Sequence, residues 1–327
     1  MKYVVRRLGF YVIAVFVAVT LNFLIPRLLP GNPVDAILAK TQSTAPLPPS
    51  ARQALEIQFG VSHDALPVQY WHYLGNLVHG QFGISVSFYP TPVSTIVLQA
   101  LPWTLALVGL STLISFVLGI ALGALAGWKR GSWLDSLVPA TTLFAAIPYF
   151  WLALLLVYFL ALKLGAFPLS LGYDLNLNPS FKRDFIGSAI YHGALPALTL
   201  VLSQIAGWLL GMRNMMVSTM FEDYVLTAEA KGLSTSRVMI RYAARNAVLP
   251  SVTGFAISIG FIVTGSIVTE SVFSYPGLGF NLLTAVQNSD YPLMQALFLV
   301  ITLGVLGANL VVDLLNGFID PRTRQNG

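Results

Sequence analysis

The chain has 327 residues, 56% of them hydrophobic and only 9% charged, with a mean hydropathy of +0.73. That balance excludes a pair of soluble domains and describes an all-α polytopic membrane protein. The net charge of +5 comes without any basic run interleaved with aromatics, so no nucleic-acid partner is expected, and the absence of cysteine excludes disulfides, thiolate metal sites and a cysteine nucleophile.

Lys2, Arg6 and Arg7 precede Leu8–Ile25, an uncharged run of 18 residues. It is long for the apolar core of a signal peptide and has no small-x-small cleavage site before Arg27, so a retained first transmembrane helix is expected. Residues 27–98 read as a large external loop. Pro30–Gly31–Asn32–Pro33 breaks the chain, Pro46, Pro48 and Pro49 extend it, and Ser50 opens a short helix to Phe59. Gln69–Leu74 suggests an amphipathic, aromatic-rich helix on the membrane surface. His63, His72 and His79 are spaced too widely for a compact ligand pair, and no metal site is expected.

No Asp, Glu, Lys or Arg falls between Ala65 and Trp128, and the second span is placed at Leu98–Gly127. Gly119, Gly123 and Gly127 form a doubled G-x-x-x-G that lets another helix approach closely, without naming that helix. Trp128-Lys129-Arg130-Gly131 closes the span with a belt aromatic and a basic turn. The third span, Val138–Leu162, contains Pro139 and Pro148; Pro148 predicts a kink, in a helix that either lines a pore or simply packs. Gly165–Ile190 reads as a polar external loop carrying Lys182, Arg183 and Asp184, and Ala194–Met212 as the fourth span.

Residues 213–249 form the charge-rich cytosolic loop of this apolar chain, with Glu222, Asp223, Glu229, Lys231, Arg237, Arg241 and Arg245. Thr219 and Glu222 have capping-box spacing, and Gly232 sits where a helix stops in a left-handed residue. Ser234 or Thr235 then caps a second helix to about Asn246, and Pro250 fits the first turn of the next span. From the residues alone this is a solvated loop or a docking surface. The fifth span, Pro250–Thr269, is rich in small residues: Gly254, Ser258, Gly260, Gly265 and Ser266. In Glu270–Gly279, Pro276-Gly277 predicts a turn at the membrane face. Glu270 places a carboxylate at a helix end, where it either anchors that turn or touches solute. The sixth span, Leu293–Asn316, holds Asp313, a functional acid or the partner of a basic neighbour. With the N-terminus in the cytosol, twelve of the 18 basic residues lie inside and six outside, which supports six spans with both termini cytosolic.

The words LPGNPV, LPVQYWHYLGNLVHGQFGIS, YVLTAEAKGL…RNAVLP and TESVFSYPGLG together resemble the permeases of ABC importers, in their dipeptide, oligopeptide and nickel branch. The resemblance covers nearly the whole chain, 1–327, as a single permease domain of the type I ABC-importer permease fold. It implies that the 213–249 loop couples to a separate ATPase through Glu222, Tyr224, Ala228, Glu229, Lys231, Gly232, Arg241 and Arg245. It also implies that Glu270, Phe273, Pro276 and Gly277 belong to an external gate signature. The glutamate that opens the general coupling motif falls at Leu226 here, with Glu229 three places later. The implied partners are a second, homologous permease, two ATPase subunits, an extracytoplasmic solute-binding protein and membrane lipid. The implied location is the bacterial plasma (inner) membrane, and the implied role is the translocation path for peptides or a related small solute. The chain has no G-x-x-x-x-G-K-[ST] loop, nucleophile elbow or H-E-x-x-H, so it is not expected to be an enzyme or to hold a cofactor; ATP and Mg belong to the partner ATPases. The alternative is a stand-alone secondary transporter or channel. That reading calls for ionisable residues at mid-span, which spans one to five lack.

Overall fold

The computed structural model describes residues 2–28, 48, 50, 64–261 and 267–319; among these the chain is helical, with one isolated β-bridge between Ile84 and Pro92. The expected breaks at Pro30–Pro33, Pro46 and Pro49, the helix following Ser50, His63, Gly265, Ser266 and the Asp320–Arg322 tail lie outside the described residues. The chain divides into two compact units, Met1–Thr104 with Val263–Ile267 and Pro276–Gly327, and Leu105–Ile262 with Val268–Tyr275.

In the first unit, α1 (Lys2–Leu28) lies along the last long helix, Tyr291–Ile319. Among the described side chains of α1, Phe10, Val12, Ile13 and Phe16 are exposed, as on a lipid-facing helix, and Tyr11, Val19, Asn22 and Phe23 are buried. Polar groups fix the register of the pair. Arg7 and Tyr11, one turn apart, both reach Asp313, by an ion pair of 3.0 Å and a hydroxyl hydrogen bond of 2.8 Å. Asn22 donates to the carbonyl of Gln295 at 2.8 Å. Asp313 is therefore paired with a basic neighbour. The amphipathic helix α2 (Leu66–Val78) turns Tyr70 and Tyr73 onto Phe23 of α1 and leaves Trp71 and His72 exposed.

The other core of this unit joins Val93, Ile96, Val97 and Ala100, at the start of α3 (Val93–Trp128), to Leu278, Leu282 and Ala285 and to Leu293–Leu297. Two buried polar groups position it. Asp290 caps the last helix through the Leu293 N–H and accepts from the Ser85 hydroxyl and, at 2.8 Å, from the Ser87 N–H. Thr104 accepts the N–H of Leu278 at 2.8 Å, capping a helix whose own N-cap, Gly277, has no side chain. The Asp290 cap was readable as Asp-Tyr-Pro before an apolar run; its tie to residues 85–87 was not.

The second unit is built on the remainder of α3 and on the helix Arg183–Thr219, here α7, numbered after the short α4 (Trp133–Ser136), α5 (Val138–Ala146) and α6 (Tyr149–Leu156). The three glycines of α3 lie against α7. A Cβ at Gly119 would sit 2.6 Å from Trp208 Cβ, one at Gly127 2.6 Å from Met216 Cβ, and one at Gly123 2.9 Å from Met212 Cβ and closer still to the Leu209 carbonyl oxygen. Beside this contact Phe116 stacks on Phe255 with centroids 4.3 Å apart, Trp208 meets both rings, and Trp208 comes to 3.5 Å of where a Cβ on Gly254 would stand.

Among the described residues, four helices are long and apolar enough to cross a membrane by length and composition, Arg6–Ile25, Val93–Trp128, Arg183–Thr219 and Tyr291–Leu314, and the bent pair Trp133–Phe144 and Tyr149–Lys163 makes a fifth if it is one span. Three boundaries differ from expectation. The third span is broken rather than kinked, turning through 100°. Ile147 precedes Pro148 and is forced to an extended ψ of 126°, which ends α5 outright. Helix α7 begins at Arg183, so the preceding loop ends at Lys182; Asp184 in the first turn favours that early start. The fifth expected span appears as Leu249–Phe261 and Ile267–Val272, on either side of residues outside the described set.

Replacing Gly123 by Leu is expected to cost more than the roughly 1–3 kcal/mol of an ordinary overpacked core, because the obstacle is backbone. Gly211→Leu is the control, since nothing lies within 4 Å of a Cβ there. In detergent, the temperature at which the monodisperse peak is lost should fall for Gly123→Leu alone.

Candidate functional site

The charged segment after α7 folds as a helix, a glycine stop and a second helical stretch. Thr219 is the last residue of α7 and its hydroxyl donates back to the Met215 carbonyl at 2.7 Å. The expected capping box is therefore not made: Glu222 occupies the N-cap of α8 (Asp223–Ala230) with extended backbone and no side-chain cap. Asp223 in the first turn still complements the helix dipole.

Gly232 has φ +74°, its N–H bonds to the Glu229 carbonyl at 2.8 Å and the Leu233 N–H bonds to that of Ala228 at 3.4 Å. This paired pattern is a Schellman stop. Ser234 stands at the next N-cap in extended backbone, without a side-chain cap bond, and helical structure runs from Thr235 to Ala247 through a wider π turn at Val238–Ala244. Pro250 then sits in the first turn of Leu249–Phe261.

A small core orients the segment. Val225 and Ala228 from α8, Val238 and Ala243 from the π turn, and Ala247 gather on Met212 and Met216 of α7, with Leu233 at the edge. Ala228 is thus an anchor turned into its own chain. The outward face of α8 presents Tyr224 and Leu226 beside the exposed Asp223 and Glu229, with Phe221 and Glu222 exposed just before it; Lys231, Arg237, Arg241 and Arg245 are exposed after them. The surface is acidic before Gly232 and basic after it. Leu226, where the general motif has its glutamate, is among the exposed apolar residues.

A second element, which sequence reasoning passed over, grips α7 along a neighbouring stripe. The turn 129–136 closes at Gly131 (φ +72°), and Ser132 accepts the Asp135 N–H at 3.4 Å. The Asp135 carboxylate accepts the Gly131 N–H at 3.0 Å and two N–H groups of Arg213, at 2.9 and 3.3 Å. Hydrogen bonding to Arg213, then to Gly131, holds the Asp135 carboxyl below the usual aspartate range. Arg130 donates to the Val217 carbonyl at 3.2 Å and stands 5.4 Å from the centre of the Phe221 ring. The spacing Ser132-x-x-Asp135 after a glycine was the legible signal.

The signature Thr269–Gly279 is a buried turn. Glu270 and Phe273 are buried, and the helix Ile267–Val272 stops in a second Schellman pattern centred on Ser274 (φ +47°), with the Tyr275 N–H on the Glu270 carbonyl at 2.8 Å. The reversal thus falls at Ser274, ahead of Pro276-Gly277, and Gly277 is extended. The Phe273 carbonyl accepts the Leu171 N–H at 2.8 Å, tying the turn to the 165–182 loop.

The family of binding-protein-dependent transport system inner membrane components matches residues 119–325. The oligopeptide transport system permease protein AppB of Bacillus subtilis is 34% identical over 321 residues, 98% of each chain. The dipeptide transport system permease protein DppB of Escherichia coli K12 is 33% identical over 342 residues, and the glutathione transport system permease protein GsiC of an O1:K1 strain 33% over 325, each covering 99% of both chains.

Because its folded-state pKa is depressed, Asp135 contributes stability that is complete above the ordinary aspartate range and is lost as pH falls through the lowered value. Asp135→Asn is therefore expected to melt below the wild type at neutral pH, and the two curves should converge on strong acidification. A difference that persists unchanged into acid would remove the ion pair as its source.

Proposed function

The chain belongs to the binding-protein-dependent transport system inner membrane components, and from that premise we propose that it is the translocation subunit of an ATP-driven peptide importer in a bacterial inner membrane. In this reading it crosses the membrane six times with both ends in the cytosol, and it pairs with a second, homologous permease. Of two ATPase subunits, which bind ATP and Mg, one docks on α8, and a solute-binding protein delivers peptide from outside. The observation that carries the reading is the pairing of chain-long similarity to peptide permeases with α8 itself. That helix is rigidly seated by Val225 and Ala228, while its charged and aromatic side chains are exposed.

The mechanics follow from the local structure. A partner pushing on Tyr224 and Leu226 pushes through α8 into Met212 and Met216, because the helix is backed by close-packed side chains. Glu222, Asp223 and Glu229 suit basic groups on the partner, and Lys231, Arg241 and Arg245 suit acidic ones. Gly232 sets the angle between the two halves. Burial and then the Glu270 carboxylate push the Tyr275 phenol up, so it remains a neutral donor in the external signature. Glu270, Phe273, Pro276 and Gly277 then serve as a stiff external closure rather than a solute-contacting surface.

Two outcomes test this. Cysteine placed by Asn178→Cys should react with an impermeant thiol reagent from outside intact cells, and Ser234→Cys should not. At Gly232 a Cβ would meet nothing within 4 Å, so the effect of substitution is purely the left-handed backbone. Gly232→Val should therefore misalign the halves at a cost of about 1–2 kcal/mol, and Gly232→Asn much less. Uptake of a labelled alanine dipeptide by the complex in liposomes should fall severalfold for Val and little for Asn. Full uptake by Gly232→Val would remove the coupling role.

A further inference from the structure

The grip of the 129–136 turn on α7 follows one stripe. Arg213, Val217 and Phe221 are four residues apart and lie on one face of the last two turns and just beyond them. Each is held from the same turn: Arg213 by Asp135, the Val217 carbonyl by Arg130, and the Phe221 ring by the Arg130 guanidinium. The neighbouring stripe of the same two turns, about 100° round the helix, carries Met212 and Met216, on which α8 is seated. Arg213 and Met216 are also the residues nearest Gly127, at the end of α3. The final turns of α7 are thus held on two adjacent faces, one by the coupling segment and one by the α3–α5 connection. The clamp has a fixed joint, a carboxylate bonded to two N–H groups of one guanidinium and to a backbone N–H.

We propose that Asp135 is a positioning residue for coupling: with Arg213 and Arg130 it braces the end of α7, so that displacement of α8 moves α3 and α5 instead of bending the α7–α8 junction. The proposal rests on the importer reading above. An energetic path between two sites needs a contiguous element that both sites bias, and the clamp supplies one: core, helix end, ion pair, turn. Thr219–Phe221 is where bending would occur if the brace were absent, since α7 ends there and α8 has no side-chain cap.

The test uses the full chain assembled with its ATPase and permease partners in nanodiscs, with the binding protein and an alanine dipeptide as probe. Asp135→Asn, Arg213→Gln and the double variant are compared with wild type, and Asp135→Glu is the conservative rescue. Two readouts are taken: amide exchange of residues 221–230, and dipeptide moved per ATP hydrolysed, measured in matched liposomes. Asp135→Asn is expected to speed exchange of those amides about threefold to fivefold, the scale of one partly buried surface ion pair. It should lower the transport-to-hydrolysis ratio by a similar factor. Arg213→Gln should do the same, the double variant should be no worse than either single one, and Asp135→Glu should recover most of the ratio. Faster exchange with an unchanged ratio would make the brace structural only and overturn the proposal, as would wild-type values of both. Wild-type complex whose hydrolysis the loaded binding protein does not stimulate would overturn the importer reading and the brace with it. Normal stimulation with an unperturbed Asp135→Asn would overturn the brace alone.

Discussion

The backbones of α3 and α7 approach so closely at Gly119, Gly123 and Gly127 that no Cβ fits between them, and most other placements in the 105–275 unit are measured from that contact. A lipid-embedded pair cannot rely on the hydrophobic effect for association, because the surrounding tails are equally apolar; dispersion across a close interface takes its place. Once α7 is fixed to α3, Trp208 is delivered to Phe116 and Phe255, Leu209 to Ala126 and Val138, and Met212 and Met216 to the underside of the charged segment that follows α7. The same helix thereby carries a close helix–helix contact in its middle and the seat of α8 at its end.

Chain reversals are handled by one device used repeatedly. Gly232, Ser274 and Ser289 each take a left-handed conformation after a helix and each closes the same paired hydrogen bonds. Only the first is a glycine. At Ser274 and Ser289 a residue with a Cβ holds the strained conformation, which persists where the surroundings over-determine it. Buried neighbours, Phe273 and Tyr275 in one case and Asp290 in the other, provide that surrounding.

What was legible in the sequence follows from where its signals are local. Long apolar runs gave the Val93, Arg183 and Tyr291 helices, a glycine after a short polar helix gave the stop at Gly232, and a doubled G-x-x-x-G gave the close contact without its partner. The signals that misled were local too. Thr219 and Glu222 have the spacing of a capping box, but the hydroxyl found the Met215 carbonyl one turn back, an alternative always open to threonine in a helix. Pro148 was expected to bend a helix; its effect on Ile147 was stronger than its own missing N–H and ended it. The Asp135 brace and the Asp290 tie depend on residues 78 and 205 positions apart, a separation at which spacing along the chain says nothing.

Those separations bear on how the protein is made. The 82–92 turn is synthesised early, yet the carboxylate that accepts Ser85 and Ser87 emerges 205 residues later, and the acid that pairs with the Arg7–Tyr11 face is further still, 302 residues beyond Tyr11. At ordinary translation rates the first of these intervals lasts on the order of 10–40 s. Throughout it, the Asp290 carboxylate is not yet available to the early turn, while the whole Leu105–Ile262 segment is laid down between the two parts of its unit. Completion of the first unit therefore waits on the last helix, and a chain cut short of Asp290 cannot form the ties of Ser85 and Ser87 or those of Arg7 and Tyr11 to Asp313.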